Sequence, residues 1–456
     1  MRNSIAKIML LICLSALVLK PSAAQVTDEG TISNNTSLRS SDRLKLVVIL
    51  SRHGVRSPTW SQDRLDAYSA SPWPKWSVPP SYLTSRGFEL MKQFGGYDRA
   101  SLAEMSLFAA TGCEDASKAY IWADTDQRTL ESGRALAEGL FPGCPPAIHS
   151  LAPAKNDPLF HPHISARSSV QTGIAPVNAH AINRVESSTQ QDELLAEMQH
   201  VLWGCDPKNA CTPVHTPALS LFSAPATPAR GKEDQIVESQ DSLALSSSFA
   251  EDILLEYTDG MPMDQVGWGK VDEAQLRDFL ALHTANFART HGTPVRAKAE
   301  ASNLLFHITR TLQQGAEQHT VAGAIGPTDS KLVMLVGHDT NLAGVAALLG
   351  LHWTLDGRVD DTPPGTELAF ELWQGADGAY SVRVKVTMQT LRQMREMKIL
   401  THTTPPVHEN LTPLGCDTVQ KVCRWKSFQR TVGRAIDKNY LVPVGGLVQS
   451  YPKLLP

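Results

Sequence analysis

The sequence predicts an α/β fold: a mainly parallel central sheet flanked by helices, with an inserted α-rich cap domain. Three observations carry that expectation. Residues 46–50 and 332–336 are unbroken apolar runs, the pattern of strands buried on both faces of a parallel sheet. Helical periodicity follows strand-like runs, at 130–140 after 119–123 and at 343–351 after 332–336. Between about 150 and 300 the character changes, with stretches rich in Pro, His and Ser separating further helical patterns.

The 456 residues can hold one large α/β domain carrying an insertion. Residues 1–24 combine a basic end, a short apolar run and small residues, and read as a secretory signal peptide cut after Ala24. Residues 25–41 read as a flexible leader, 42–150 and 300–456 as the α/β domain, and 151–299 as the insertion. A net charge of -4 offers no general attraction for nucleic acid, so any anion must be held by a local group of arginines. With the signal removed, Cys113, Cys144, Cys205, Cys211, Cys416 and Cys423 remain, an even number that suits an oxidising compartment. Six cysteines allow 15 connectivities. Proximity favours Cys205–Cys211 and Cys416–Cys423, which leaves Cys113–Cys144. No closely spaced cysteine pair flanked by histidines suggests zinc.

The chemistry lies at strand ends. The 46–50 run stops at Arg52-His53-Gly54-Val55-Arg56-Ser57-Pro58, and ligands of α/β sheets bind beyond the carboxyl ends of the strands. Gly54 is expected to permit a tight turn there. Residues 60–82 read as an irregular Pro- and Trp-rich loop walling a pocket, and 83–107 as a helix. A short strand at 119–123 runs into Asp124-Thr125-Asp126-Gln127-Arg128-Thr129 and a helix, which puts Arg128 in the same layer as Arg52 and Arg56. Helical patterns in the insertion cover 192–203, 247–257 and 273–288. Its histidines, including His149, His161 and His163, match no helical metal-ligand spacing and read as solvated loop residues. The 332–336 strand delivers a second histidine in Gly337-His338-Asp339-Thr340-Asn341. Residues 367–373 and 380–388 alternate about a turn at 375–378, as a hairpin at the sheet edge.

These motifs, with Leu83-Thr84-Ser85-Arg86-Gly87, resemble those of the histidine acid phosphatases, in their bacterial phytase-like branch, within the phosphoglycerate-mutase-like superfamily. The resemblance runs from about 44 to 423 and is weakest across 150–245. It implies His53 as a nucleophile forming a phosphohistidine and Asp339 as general acid. It also implies that Arg52, Arg56, Thr59, Arg128 and His338 bind substrate, with no metal and no cofactor. The substrate class would be a phosphorylated small molecule: phytate first, with a glucose-1-phosphatase or broad acid phosphatase as the alternative. A cytosolic mutase is opposed by the signal peptide and cysteines, and a non-catalytic exported binding protein by the intact residue set. The expected protein is a periplasmic or secreted monomer, with no nucleic-acid partner and no membrane attachment after cleavage. Trp60 stands where such phytases usually carry Lys, which removes one cation. The cysteine many of them have shortly after an Asp-Pro-Leu-Phe stretch, here 157–160, is missing.

Overall fold

The computed structural model of the chain describes residues 42–152, 156–162, 189–206, 209, 217–222 and 241–442. The expected signal peptide and leader lie outside them. Strand β1 (Arg43–Arg52) forms the centre of an eight-stranded sheet. On one side β1 pairs in parallel with β4 (Leu332–Gly337), which pairs with β2 (Ala119–Ala123), which pairs with β3 (Ile148–His149). Two short strands, β5 (Thr354–Leu355) and β6 (Arg358–Val359), pair apart from this sheet. On the other side of β1 the sheet turns antiparallel through β7 (Glu367–Gln374) and β8 (Tyr380–Met388).

Why β1 reads as an unbroken apolar run is clear from its two faces. Leu46, Val48 and Leu50 enter one core with Leu304, Leu305, Ile308 and Leu312. Val47 and Ile49 enter the other with Phe94, Leu136 and Leu140. Helices Ser85–Glu104 and Gln127–Leu140 therefore cover one face, and Pro294–Glu317 and Asp339–Leu349 the other. Each fully buried side chain of this size contributes about 1.5–3 kcal/mol.

A third core joins helices Thr189–Leu202, Ser242–Thr258 and Glu273–Thr290. It also takes in Leu65, Tyr68 and Trp73 from the segment after β1, where a short helix, Gln62–Asp66, stands within the stretch expected to be irregular. Helix Ser242–Thr258 is buried nearly all round, acidic residues included.

Three features differ from the sequence reading. The hairpin is not at the edge: β9 (Val407–Leu411) and β10 (Cys423–Arg424) both pair with β8 beyond it. Helix Pro294–Glu317, 24 residues long, was not anticipated, and it runs unbroken through residue 300, where the insertion was expected to end. Gly54 is required by close packing and not by a turn, because a Cβ there would lie 2.6 Å from Met91 Cγ and 3.0 Å from the Gly87 carbonyl oxygen.

Disulfides join Cys113 to Cys144 and Cys416 to Cys423, as expected. Cys205 is also disulfide-bonded, and the expected partner Cys211 lies outside the described residues. Among the described residues no helix is long and apolar enough to cross a membrane.

Candidate active site

Register creates the site. Arg52 on β1 sits opposite Gly337 on β4, and Ala123 on β2 opposite Val336. The three strands thus end level, and the hydrogen bonds continue one residue further: His53 N–H donates to the Gly337 carbonyl and Asp124 N–H to that of Val336, both at 3.0 Å. Side chains far apart in sequence, from 52–56, 124–128 and 338–339, emerge around one point.

His53 is buried, and its ring centroid lies 5.6 Å from that of His338, edge to face. Its Nδ1 is 2.9 Å from the Gly54 carbonyl oxygen. That oxygen only accepts, so Nδ1 carries the proton and the lone pair of the neutral ring is on Nε2. Burial, then Arg128, Arg52 and Arg56, push the His53 pKa well below the ordinary imidazole range.

Arg52 is fully buried at the end of β1. Its guanidinium donates to the Thr362 carbonyl, pairs with Glu251, and meets Asp339 Oδ2 at 2.8 Å. Arg56 reaches the same Glu251 oxygen at 3.5 Å. Arg128, in the first turn of its helix, pairs with Asp126 at 2.7 Å and faces His338 Nδ1 at 3.4 Å. The Nε atoms of all three arginines are buried without a hydrogen-bond partner, so donor capacity is left over.

His338 caps helix Asp339–Leu349, its backbone N–H donating to Asn341 Oδ1 at 2.9 Å. Asn341 therefore supplies the side-chain cap, and Asp339 Oδ2 is left to meet Arg52. Burial would raise the Asp339 pKa, but Arg52, His283 and His338 outweigh it and hold the carboxyl well below its usual range. In the free protein Asp339 is an anion paired with Arg52. Asp124 is likewise held low, against burial, by hydrogen bonds from His161 and His338.

The structure brings together Arg52, His53, Arg56, Arg128, His338 and Asp339. Thr59 is exposed and shares no hydrogen bond with the group. Trp60 packs against Phe249 and Tyr68 with ring centroids 5.7 and 6.1 Å apart, and the Arg64 guanidinium lies 3.5 Å above its ring. A cation thus stands beside Trp60 after all.

Three residues of this neighbourhood were not anticipated. Glu251 sits on helix Ser242–Thr258, and the available signal was three acidic residues, Glu251, Asp252 and Glu256, on a helix buried nearly all round. Asp124, in the stretch after β2, is fully buried and accepts from His338 Nε2 at 2.6 Å and His161 Nε2 at 2.7 Å. His161, half-exposed on its loop, is therefore tied to a buried carboxylate and not free in solvent. His149 is exposed and stacks on Tyr120, and His163 lies outside the described residues. Ligand atoms of Asp124, Asp126, His161 and His338 all lie within 4.8 Å of one another, near enough to hold a metal ion. Arg128 already balances part of their charge.

This arrangement of arginines and a neutral imidazole beside a carboxylate suits phosphoryl transfer, and comparison with known proteins agrees. The chain is 34% identical over 409 residues to phytase AppA of Escherichia coli, covering 86% of this chain and 92% of that protein. It is 27% identical over 440 residues to the glucose-1-phosphatase of Providencia rettgeri, covering 94% of this chain and 99% of that one. Among solved structures, Hafnia alvei phytase in complex with tartrate superposes with a TM-score of 0.76 at 33% identity, over 89% of this chain and 100% of that one. The profile of the histidine phosphatase superfamily (branch 2) matches residues 43–387, and with these relatives it shows that the chain belongs to that family.

Proposed function

We propose that this protein is an exported phosphomonoesterase that transfers the phosphoryl group to His53 and then to water, with phytate as its preferred substrate. The observation that carries the reading is the level ending of β1, β4 and β2, which surrounds His53 with Arg52, Arg56, Arg128, His338 and Asp339.

In the first step the lone pair on His53 Nε2 attacks phosphorus, a P–N bond forms and the P–O bond to the alcohol breaks. The arginines bind the phosphoryl oxygens, remain charged at any working pH and neutralise what would repel the nucleophile. Asp339 gives its proton to the departing alkoxide. It must first acquire that proton, and the substrate helps: a phosphate dianion on Arg52 draws that cation away from the carboxylate, so its pKa rises on binding. In the second step Asp339 takes a proton from water, whose oxygen attacks phosphorus. The P–N bond breaks, and phosphate leaves with His53 neutral again.

Helices Thr189–Leu202, Ser242–Thr258 and Glu273–Thr290 serve as the cap domain, and Glu251 is the cap's contact with the arginines. Export is supported by the signal-like residues 1–24 and by the disulfides. Phytate, a polyanion, is favoured by relatives that are phytases and by Arg64, which keeps a positive charge beside Trp60. The test is kcat/KM on phytate, glucose 1-phosphate and p-nitrophenyl phosphate at acid pH. Highest efficiency on phytate is expected. Preference for glucose 1-phosphate would instead favour the activity of the glucose-1-phosphatase relatives.

A further inference from the structure

Behind the strand ends lies a second buried group of charges, which the phosphoryl-transfer steps do not use. Strand β7 presents Glu367, Ala369 and Glu371 to one face of the sheet, and Lys385 stands opposite Ala369 on β8. Helix Ser85–Glu104 covers that face and lays Asp98 against Glu367.

Asp98 and Glu367 are both buried, and Asp98 Oδ2 and Glu367 Oε1 meet no hydrogen-bond donor among the described residues. Two carboxylates cannot lie in contact there as anions, because neither offers a donor to the other and burial strengthens their repulsion. A proton held between them removes both difficulties. Burial, and then the negative charge of Asp98, push the Glu367 pKa well above the carboxyl range, so the proton rests on Glu367 and its O–H donates to Asp98. Around the pair stand Tyr97 and, beyond it, Glu104 on the helix, Glu371 on β7, Arg383 and Lys385 on β8, and His408 on β9. Lys385 is the cation that acts on both acids, but its Nζ lies 3.6 Å from Glu371 Oε1, so three carboxyl groups share it.

The pair joins the two elements that hold the segment carrying Arg52 and His53. From one side the chain leading into β7 holds it: Arg52 N–H donates to the Thr366 carbonyl at 2.8 Å, the Arg52 guanidinium to that of Thr362, and Gly365 N–H to the His53 carbonyl at 3.0 Å. From the other side, Thr84 N–H at the helix N-cap donates to the Val55 carbonyl at 3.0 Å. Met91 of the same helix lies so near Gly365 that a Cβ there would be 3.2 Å from its Sδ.

We propose that Asp98 and Glu367 form an acid-set clamp: while they share one proton they lock helix Ser85–Glu104 to β7 around the segment carrying Arg52 and His53, and loss of that proton loosens it. The consequence for turnover rests on the phosphoryl-transfer reading of the site; the clamp itself does not. In an opened state the two acids are solvated and ionise as ordinary carboxyl groups, whereas in the closed state they retain a proton. Opening therefore releases a proton and grows more favourable as pH rises, by about tenfold per pH unit for the shared proton, until the closed pair itself ionises.

The test is backbone hydrogen exchange between about pH 5 and about pH 8, read as protection factors so that the intrinsic dependence of exchange on pH is removed. Glu367→Gln keeps a donor to Asp98 that cannot be lost. Asp98→Asn lets Glu367 accept from the amide as an anion. In the intact protein, protection across 52–55 and 362–367 is expected to fall by about tenfold per pH unit while that of β2 changes much less, and in both variants the fall is expected to vanish. Infrared spectra at neutral pH should show a protonated carboxylic acid in the intact protein that is missing from Glu367→Gln, and turnover of p-nitrophenyl phosphate by this variant should persist further toward alkaline pH. An equal loss of protection in every strand would reduce the pair to a contribution to global stability and overturn the clamp, as would an unchanged slope in Glu367→Gln or the absence of the infrared band. Protection that follows the expected pattern in a protein without turnover would leave the clamp standing and count against the phosphoryl-transfer reading.

Discussion

At the scale of single residues, the site works by giving like groups unlike surroundings. His53 is kept neutral by burial and three guanidinium groups, so its Nε2 lone pair stays available in acid for the proposed attack on phosphorus. Asp339 is kept anionic by its pairing with Arg52, and under the proposed reaction it takes up a proton only when a phosphate competes for that arginine. Asp339→Asn should therefore slow phytate or glucose 1-phosphate turnover by about 10²–10⁴-fold. The loss in the first step should be much smaller for p-nitrophenyl phosphate, whose leaving group needs no proton. Single-turnover kinetics on the two ester types measure this, and equal losses would count against Asp339 as the acid. Glu251 makes a second case. It bridges Arg52 and Arg56 from helix Ser242–Thr258, so Glu251→Ala leaves two buried cations without their shared partner. A loss of about 3–5 kcal/mol in unfolding free energy is expected from denaturant titration.

At the scale of elements, the strands that build the site are those the sequence declares most openly. β1, β2 and β4 were legible because residues 46–50, 119–123 and 332–336 within them carry no charged side chain, and because Arg, His and Asp at their ends have no role in a core. Helix Pro294–Glu317 escaped because its buried side includes Ser302, Asn303, His307, Thr309 and Thr311, which blur the apolar period. Much of that polarity is absorbed within the fold: Thr309 and Thr311 donate to the carbonyls one turn back, and Asn303 holds the His161 loop. Glu251, Asp124 and His161 could not be assigned from spacing, since their partners come from distant parts of the chain. Helix Ser85–Glu104 offers a direct check on how β1 is held. A Cβ at Gly87 would lie 2.1 Å from the Val55 carbonyl oxygen, just past His53. Gly87→Ala should cost about 1–3 kcal/mol in unfolding free energy and displace the 53–56 segment, so activity should fall with stability. Full activity in this variant would show that the segment is not positioned by that contact.

At the scale of the whole molecule, buried carboxylates divide into two classes that pull stability in opposite directions with pH. Asp124, Asp339 and Glu251 are depressed, so what they contribute is present above the unfolded carboxylate pKa of about 4 and is lost as pH falls below it. Asp98, Asp252, Glu256 and Glu367 are raised, chiefly by burial, with Asp252 near about 7 and Glu256 near about 8. For these the folded state binds more protons than the unfolded one between about pH 4 and their folded pKa values, so stability falls as pH rises through that window. The balance predicts greatest stability in mild acid, which suits an acid phosphatase. Glu367→Gln, which mimics the protonated acid beside Asp98, should flatten the decline between pH 5 and 7.5 in denaturant midpoints. An unchanged slope would mean the Asp98–Glu367 pair does not titrate in that range. Reducing Cys113–Cys144, whose cysteines are 31 residues apart, should remove roughly 3–4 kcal/mol. Lowered thermal midpoints in reductant would report it.

The central claim is that His53 carries the phosphoryl group, and trapping that intermediate tests it most directly. Asp339→Asn should accept phosphoryl from p-nitrophenyl phosphate faster than it passes it to water. After rapid quenching under alkaline conditions, peptide mass spectrometry should find the phosphoryl group on His53 and find none in His53→Ala. Phosphoryl on another residue, or turnover by His53→Ala at the rate of the intact protein, would contradict the account.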